Sequence, residues 1–135
     1  MGRMYTVEFE AVAVTAAVDF FELIPADDKP IAIWALFLSQ SSDVGDAAEE
    51  ILRYRIIRGH TTGGSGGAAP TPIPLTSIDT AAGFTAETNN TTIASVGTPV
   101  NMLSDSFNIR TGLQVIFPPE LRPQASQVNT TIVVR

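Results

Sequence analysis

Between Arg58 and Leu75 the chain reads Arg-Gly-His-Thr-Thr-Gly-Gly-Ser-Gly-Gly-Ala-Ala-Pro-Thr-Pro-Ile-Pro-Leu, and no other stretch restricts the fold so strongly. Its glycines make the backbone entropically costly to order, while Pro70, Pro72 and Pro74 each remove an amide donor. The segment is therefore predicted to be neither helix nor central strand, with extended, polyproline-like chain at its proline end. A structureless loop of this length inside a small domain is usually functional or a linker. Residues 59–74 are thus expected to form a flexible Gly/Pro-rich arm dividing the chain into two β-rich halves.

The 135 residues are expected to make a single domain over 1–135, large enough to fold without staples. The chain has no Cys, which removes disulfides, thiolate metal sites and thiol nucleophiles, and its one His leaves little imidazole for a metal. A formal charge of −6 and only 8 Lys and Arg argue against nucleic acid as a partner. The longest apolar run, Ile31 to Leu38, is far short of the roughly 20 residues a bilayer helix needs, so no membrane partner is expected. Glu8, Glu10 and Asp19 interrupt what a secretion signal would keep apolar. The amino-terminal Met-Gly-Arg-Met-Tyr-Thr fits a permissive myristoylation pattern, and Asn89, Asn90 and Asn129 head Asn-x-Thr sequons; both are short patterns that strand-like surroundings outweigh.

Along the chain, Met4 to Val14 alternates in polarity and predicts a half-buried strand with one wet face. Val18 to Ile24 predicts a second strand, and Pro25-Ala-Asp-Asp-Lys-Pro30 is turn chemistry that would join it to the next as a hairpin. Ile31 to Ser41 carries the only Trp and predicts a strand covered on both faces, with a buried helix as the alternative. An acidic connector over Ser42 to Glu50 follows, its last residues suited to one helical turn. In Ile51 to Arg58, Leu52, Tyr54 and Ile56 oppose Arg53, Arg55 and Ile57. Beyond the glycines, strands are predicted over Leu75 to Ile78, Phe84 to Thr88, Val100 to Leu103, Phe107 to Arg110, Leu113 to Phe117 and Val128 to Arg135. Their spacing and punctuation are those of a sandwich or barrel. Either a further strand follows Arg135, or the last one lies at an edge where a neighbour can cover it.

The candidate chemistry is thin. Gly63-Gly-Ser-Gly-Gly67 matches the Gly-x-Ser-x-Gly elbow, but polyproline chain stands where the helix should follow Ser65. The same glycines lack the Lys-Ser or Lys-Thr of a phosphate loop. His60 alone is a poor start for a metal site or a cupin-type enzyme. Asp43, Asp46, Glu49 and Glu50, with Asp27 and Asp28, could gather around calcium, but their spacing is not that of an EF-hand and a solvated acidic loop is favoured. Arg53, Arg55 and Arg58 suit pairing either with a neighbouring subunit or with Glu8 and Glu10 of the same chain. Trp34, Phe37 and Leu38 are expected in the core. No cofactor is expected.

The order of pieces carries a resemblance. Asp19-Phe-Phe-Glu-Leu-Ile24, the Pro-Ala-Asp-Asp turn, Ile-Trp-Ala-Leu-Phe-Leu-Ser-Gln, the acidic Asp-Val-Gly-Asp-Ala-Ala-Glu-Glu connector, Ile-Ile-Arg-Gly-His, Gly-Gly-Ser-Gly-Gly, Thr-Pro-Ile-Pro-Leu, Glu87-Thr-Asn-Asn-Thr-Thr92 and Asp105-Ser-Phe-Asn-Ile follow one another over most of the chain. The series resembles small jelly-roll virion proteins of tailed bacteriophages, the capsid decoration or cement group. That resemblance implies an all-β, jelly-roll-like antiparallel β-sandwich of about eight strands and a non-enzymatic virion structural protein. It also implies a homotrimer on the outer capsid surface near local three-fold positions, bound to the major capsid protein and assembled in the bacterial host cytoplasm. A receptor- or glycan-binding module of a head fibre or tail is the alternative, with Asn89, Asn90 and Asn101 as its hints; a cupin- or hydrolase-type enzyme built on His60 or Ser65 is a third. The intermolecular contacts are expected from the amino-terminal strand and the arm, at Met4, Tyr5, Arg58, His60, Thr61, Thr62, Pro70 and Pro72.

Overall fold

The computed structural model describes residues 2–41 and 50–135. The connector residues Asp43, Asp46 and Glu49, and with them the expected helical turn, lie outside the described residues. Strands are β1 (Tyr5–Thr6), β2 (Asp19–Pro25), β3 (Ile31–Ala32), β4 (Ala35–Leu38), β5 (Ile51–Thr62), β6 (Ile73–Pro74), β7 (Phe84–Asn90), β8 (Ser95–Asn108), β9 (Leu113–Ile116), β10 (Gln124–Ala125) and β11 (Thr131–Val134). Among the described residues the helical content is a single 3₁₀ turn, Pro119–Leu121. The fold is all-β and antiparallel, in two layers consistent with a β-sandwich.

The larger layer is a five-stranded sheet in the order β7-β2-β11-β5-β8. Its central strand has the sequence Thr-Ile-Val-Val and is buried at every residue. Such a β-branched run, with no polar alternation, belongs in a position covered on both faces. Register places Phe21, Val134 and Ile56 in one row and Leu23 beside Ile132 in the next. Those side chains, with Tyr54, form the sheet's half of the core. Glu22, Val133 and Ile57 alternate with them and point the other way.

The second layer is a single long ribbon. Residues 35–38 pair with 113–116, and residues 31–32 pair with 124–125. Between these pairings Phe117 N–H donates to the Trp34 carbonyl at 2.8 Å and Ile33 N–H to the Pro123 carbonyl at 2.9 Å. The register is continuous apart from an excursion over residues 118–122, where Pro118 and Pro119 lack the donors a ladder needs. Ile33, Leu36, Leu38, Phe117 and Ala125 face the sheet and close the core.

Several expectations are corrected. Gly59 to Thr62 are not loop but the end of β5, which runs between β11 and β8. The strand passes its glycine by a bulge: Gly59 has φ +103° and the register with β8 shifts between Arg58 and His60. The amino-terminal strand is only Tyr5–Thr6, on β6; beyond it Phe9 packs on Phe20 and Phe21, and Ala11 takes a positive φ. No hairpin forms across Pro25 to Pro30, because β2 finds β7 and β11 while β3 finds β10. Val100 to Leu103 and Phe107 to Arg110 are not two strands; residues 95–108 form one strand, β8, opposite the long β5. Residues 75–78 form a turn, and the strand lies just before them at Ile73–Pro74. The last strand is at the centre of the sheet and not at an edge. Finally, Ile31 to Leu38 is covered on one face only: Leu38 is buried as expected, but Trp34 is 36% and Phe37 59% exposed.

Candidate functional site

The face of the sheet opposite the core is covered at its centre. Glu22 and Val133 have no exposed surface and Ile57 has 6%. Part of the cover is the glycine stretch itself. After β5 ends at Thr62 the chain turns across Glu22 and then runs beside β7. Ser65 forms a bridge with Thr92, and Ala68 with Thr88. Side chains on Gly63 or Gly64 would prevent this approach: a Cβ on Gly63 would stand 2.8 Å from Glu22 Oε1, and one on Gly64 2.6 Å from the Thr92 carbonyl.

Beneath this cover lies a cluster of buried polar groups: Asp19, Glu22, His60, Thr88, Asn90 and Thr131. Glu22 Oε2 accepts from the Gly64 N–H at 2.8 Å and from Asn90 Nδ2 at 3.0 Å. The same Asn90 amide donates to Glu87 Oε2 at 2.6 Å, so one amide holds two carboxylates. Glu22 Oε1 is buried without a hydrogen-bond partner. Burial pushes the Glu22 carboxyl above its ordinary value, and the charges of Glu87 and Asp19 push the same way against the Gly64 and Asn90 hydrogen bonds.

A second arrangement adjoins it. Arg135 Nε donates to Asp19 Oδ1 at 2.6 Å and Nη2 to Oδ2 at 3.3 Å, while Nη2 also reaches the Ala94 carbonyl at 3.0 Å. Ala94 N–H returns a bond of 2.6 Å to Asp19 Oδ2. The buried carboxylate is thus satisfied by two donors on a guanidinium and one on the backbone, as a buried charge requires. His60 faces this pair with Nδ1 unpartnered. Burial lowers its pKa, with Arg135 adding to the effect and Asp19 opposing it, so the neutral ring is favoured.

The residues singled out in the sequence are spread over the molecule. Met4 and Tyr5 are half-buried against the 73–81 region, where Leu75 N–H donates to the Met4 carbonyl and Tyr5 Oη to the Thr80 carbonyl. Arg58 Nη1 donates to the Gln124 carbonyl, tying the two layers together. His60 and Pro72 are buried, Pro70 is half-buried, and Thr61 and Thr62 are exposed. Among the described residues no hydrogen bond joins His60 to Ser65, and no group of three or more His, Asp or Glu is arranged to hold a metal. Glu50, Asp27 and Asp28 are exposed. Arg53 and Arg55 are exposed opposite Ser106 and Ser104, and among the described residues no ion pair links them to Glu8 or Glu10. Asn89 and Asn90 lie on β7 and Asn101 on β8, at opposite edges of the sheet.

A cleft of about 320 Å³ opens at the β2–β7 end, lined by Ile24, Pro25, Ala82, Phe84 and Val128 among others; none of its lining side chains titrates. Among the described residues no helix is long and apolar enough to cross a membrane.

Sequence reasoning missed the buried cluster because Asp19 and Glu22 stand among apolar residues in a predicted strand, with nothing local to show what covers them. The available signal was the clustering of glycines after β5, which let a backbone close on a sheet face. The chain is an all-β, two-layered protein whose unusual feature is this sealed carboxylate cluster. No family model, curated protein or solved structure matches it.

Proposed function

We propose that this chain is a non-enzymatic structural protein of a tailed-bacteriophage virion, a jelly-roll-like decoration protein that binds the outer surface of the major capsid protein as a homotrimer and stabilises the shell. The observation that carries the reading is the outward face of the β4–β9 ribbon. Phe37 and Ile116 are 59% and 76% exposed there, and Leu121 on the neighbouring excursion is 71% exposed. Large apolar side chains grouped on one face mark a surface that meets another protein. The long edge strand β8 supports it: Val96 and Val100 are 67% and 55% exposed, and only β5 pairs with it. Contacts of this kind, repeated over a shell, add through effective concentration without any one of them being strong. The order of sequence pieces that resembles the decoration group supports the same reading.

The test is the copy number of the chain in purified particles, measured by quantitative mass spectrometry against the major capsid protein. Hundreds of copies in simple ratio to the shell are expected. A few copies per particle would replace decoration with a fibre or tail module, and absence from particles would overturn the virion reading.

A further inference from the structure

Glu22 is a costly side chain to bury. It has no exposed surface, one carboxylate oxygen lacks any donor, and its other oxygen shares the Asn90 amide with Glu87. A carboxylate in that setting keeps most of its desolvation penalty, because no cation faces it directly. A neutral carboxyl gives up much less. The groups packed around it reinforce this: Glu87 on β7 and Asp19 on β2 are like charges, His60 on β5 favours its neutral form, and Arg135 beyond β11 is already engaged by Asp19.

What seals Glu22 is slight. Gly63 and Gly64 lie over the carboxyl, with the Gly64 N–H as the one backbone donor reaching it. The loop is then held to the β7 side by four backbone hydrogen bonds. Ser65 and Thr92 exchange bonds of 2.9 and 3.0 Å, and Ala68 and Thr88 bonds of 3.0 and 2.8 Å. Lifting this segment would admit water to Glu22 Oε1 and would leave the Thr88 and Thr92 backbone groups unpaired. Any state that hydrates the carboxylate is favoured by its ionisation, so charge on Glu22 and opening of the loop are linked equilibria.

We propose that Glu22 and the segment Gly63–Ala68 form a proton-gated latch: with the carboxyl neutral the loop stays closed on the edge of β7, and ionisation of Glu22 releases it and bares that edge. Glu22 is the proton-binding group, the Gly64 N–H and Asn90 amide are its reporters, and burial together with the nearby Glu87 sets the pH at which it opens. The latch is independent of the virion reading and holds for the isolated chain.

The test uses the full chain in two NMR measurements between pH 4 and 8: the Glu22 carboxyl ¹³C shift, and protection factors for the amides of Gly64, Ser65 and Ala68, which remove the intrinsic pH dependence of exchange. Across the Glu22 titration, protection of these three amides is expected to fall by up to about tenfold per pH unit, while Ile132 and Val133 hold theirs. Glu22→Gln should flatten the profile, and Glu87→Gln should move its midpoint to lower pH. Parallel profiles in the wild type and Glu22→Gln would overturn the proposal, as would a Glu22 carboxyl that titrates with no change in loop protection. Should Glu22→Gln fail to fold, the wild-type profiles decide: loop protection that does not follow the Glu22 carboxyl titration overturns the latch.

Discussion

Asp19 and Arg135, 116 positions apart, meet at 2.6 Å with the carboxylate fully buried and the arginine side chain 18% exposed. The pair fixes the start of β2 to the end of β11 and takes in the Ala94 backbone as a third partner. Removing one member leaves the other as an uncompensated buried charge. Arg135→Met is expected to cost about 3–5 kcal/mol, and Asp19→Asn a similar amount. Replacing both with apolar residues of similar volume should recover much of the loss, so a double-mutant cycle by urea denaturation checks the coupling.

Stability is expected to depend on pH in two opposite senses. The folded chain holds the Glu22 proton at a pH where the unfolded chain has already lost it, so this group's contribution falls as pH rises from about 4.5 through its raised folded value. His60 acts in reverse. Its folded form resists protonation, so stability is lost as pH falls below about 6.5 towards its lowered folded value. A tenfold difference in proton affinity between the folded and unfolded chains is worth about 1.4 kcal/mol. Denaturation series on the wild type, Glu22→Gln and His60→Gln should show the alkaline-side loss absent from the first variant and the acid-side loss absent from the second.

Gly64 tolerates no side chain where it stands, since a Cβ would meet the Thr92 carbonyl at 2.6 Å and Asn90 Nδ2 at 2.8 Å. Gly64→Ala is expected to destabilise by about 1–3 kcal/mol, from the displaced backbone and the loosened Glu22 hydrogen bonds. Gly2→Ala, with nothing within 4 Å, is the matched control and should leave the melting temperature unchanged.

Trp34 is the only tryptophan, and Arg122 lies over its ring with the guanidinium carbon 3.5 Å from the centroid. Arg122→Ala should cost about 0.5–1 kcal/mol and shift the indole emission to longer wavelength as water reaches the ring. Arg122→Lys should recover only part of the effect, because the stacked planar group is lost. Fluorescence of the folded variants reads this directly.

The parts of the fold that could be read from sequence were those with strong local patterning. In β5, Tyr54 and Ile56 face the core while Arg53 and Arg55 are exposed, as their alternation requires. Gly83 and Gly112 stand at turns near strands that begin at Phe84 and Leu113, close to the expected bounds. What escaped was non-local. Nothing in Ile31 to Leu38 shows that its partner comes in two pieces from residues 113–125, or that Trp34 and Phe37 stay outside the core. Gly59 reads as a break, yet one glycine can make a bulge and let the strand continue. The buried cluster was hidden for a related reason: Glu22 is an acid among apolar neighbours in its strand, and the return of a distant glycine backbone is what covers it.

The placement of β11 has a consequence for how the sheet can be taken apart. Within the five-stranded sheet the pairs β7–β2 and β5–β8 share no ladder, and Thr131–Val134 is the strand that pairs with both. A peptide with the sequence of Thr130–Arg135 fits the slot between these two ribbons, with Arg135 as its charged anchor. The fold is therefore suited to fragment complementation, in which a synthetic strand supplied in trans restores the sheet and reports its own binding through the recovery of structure.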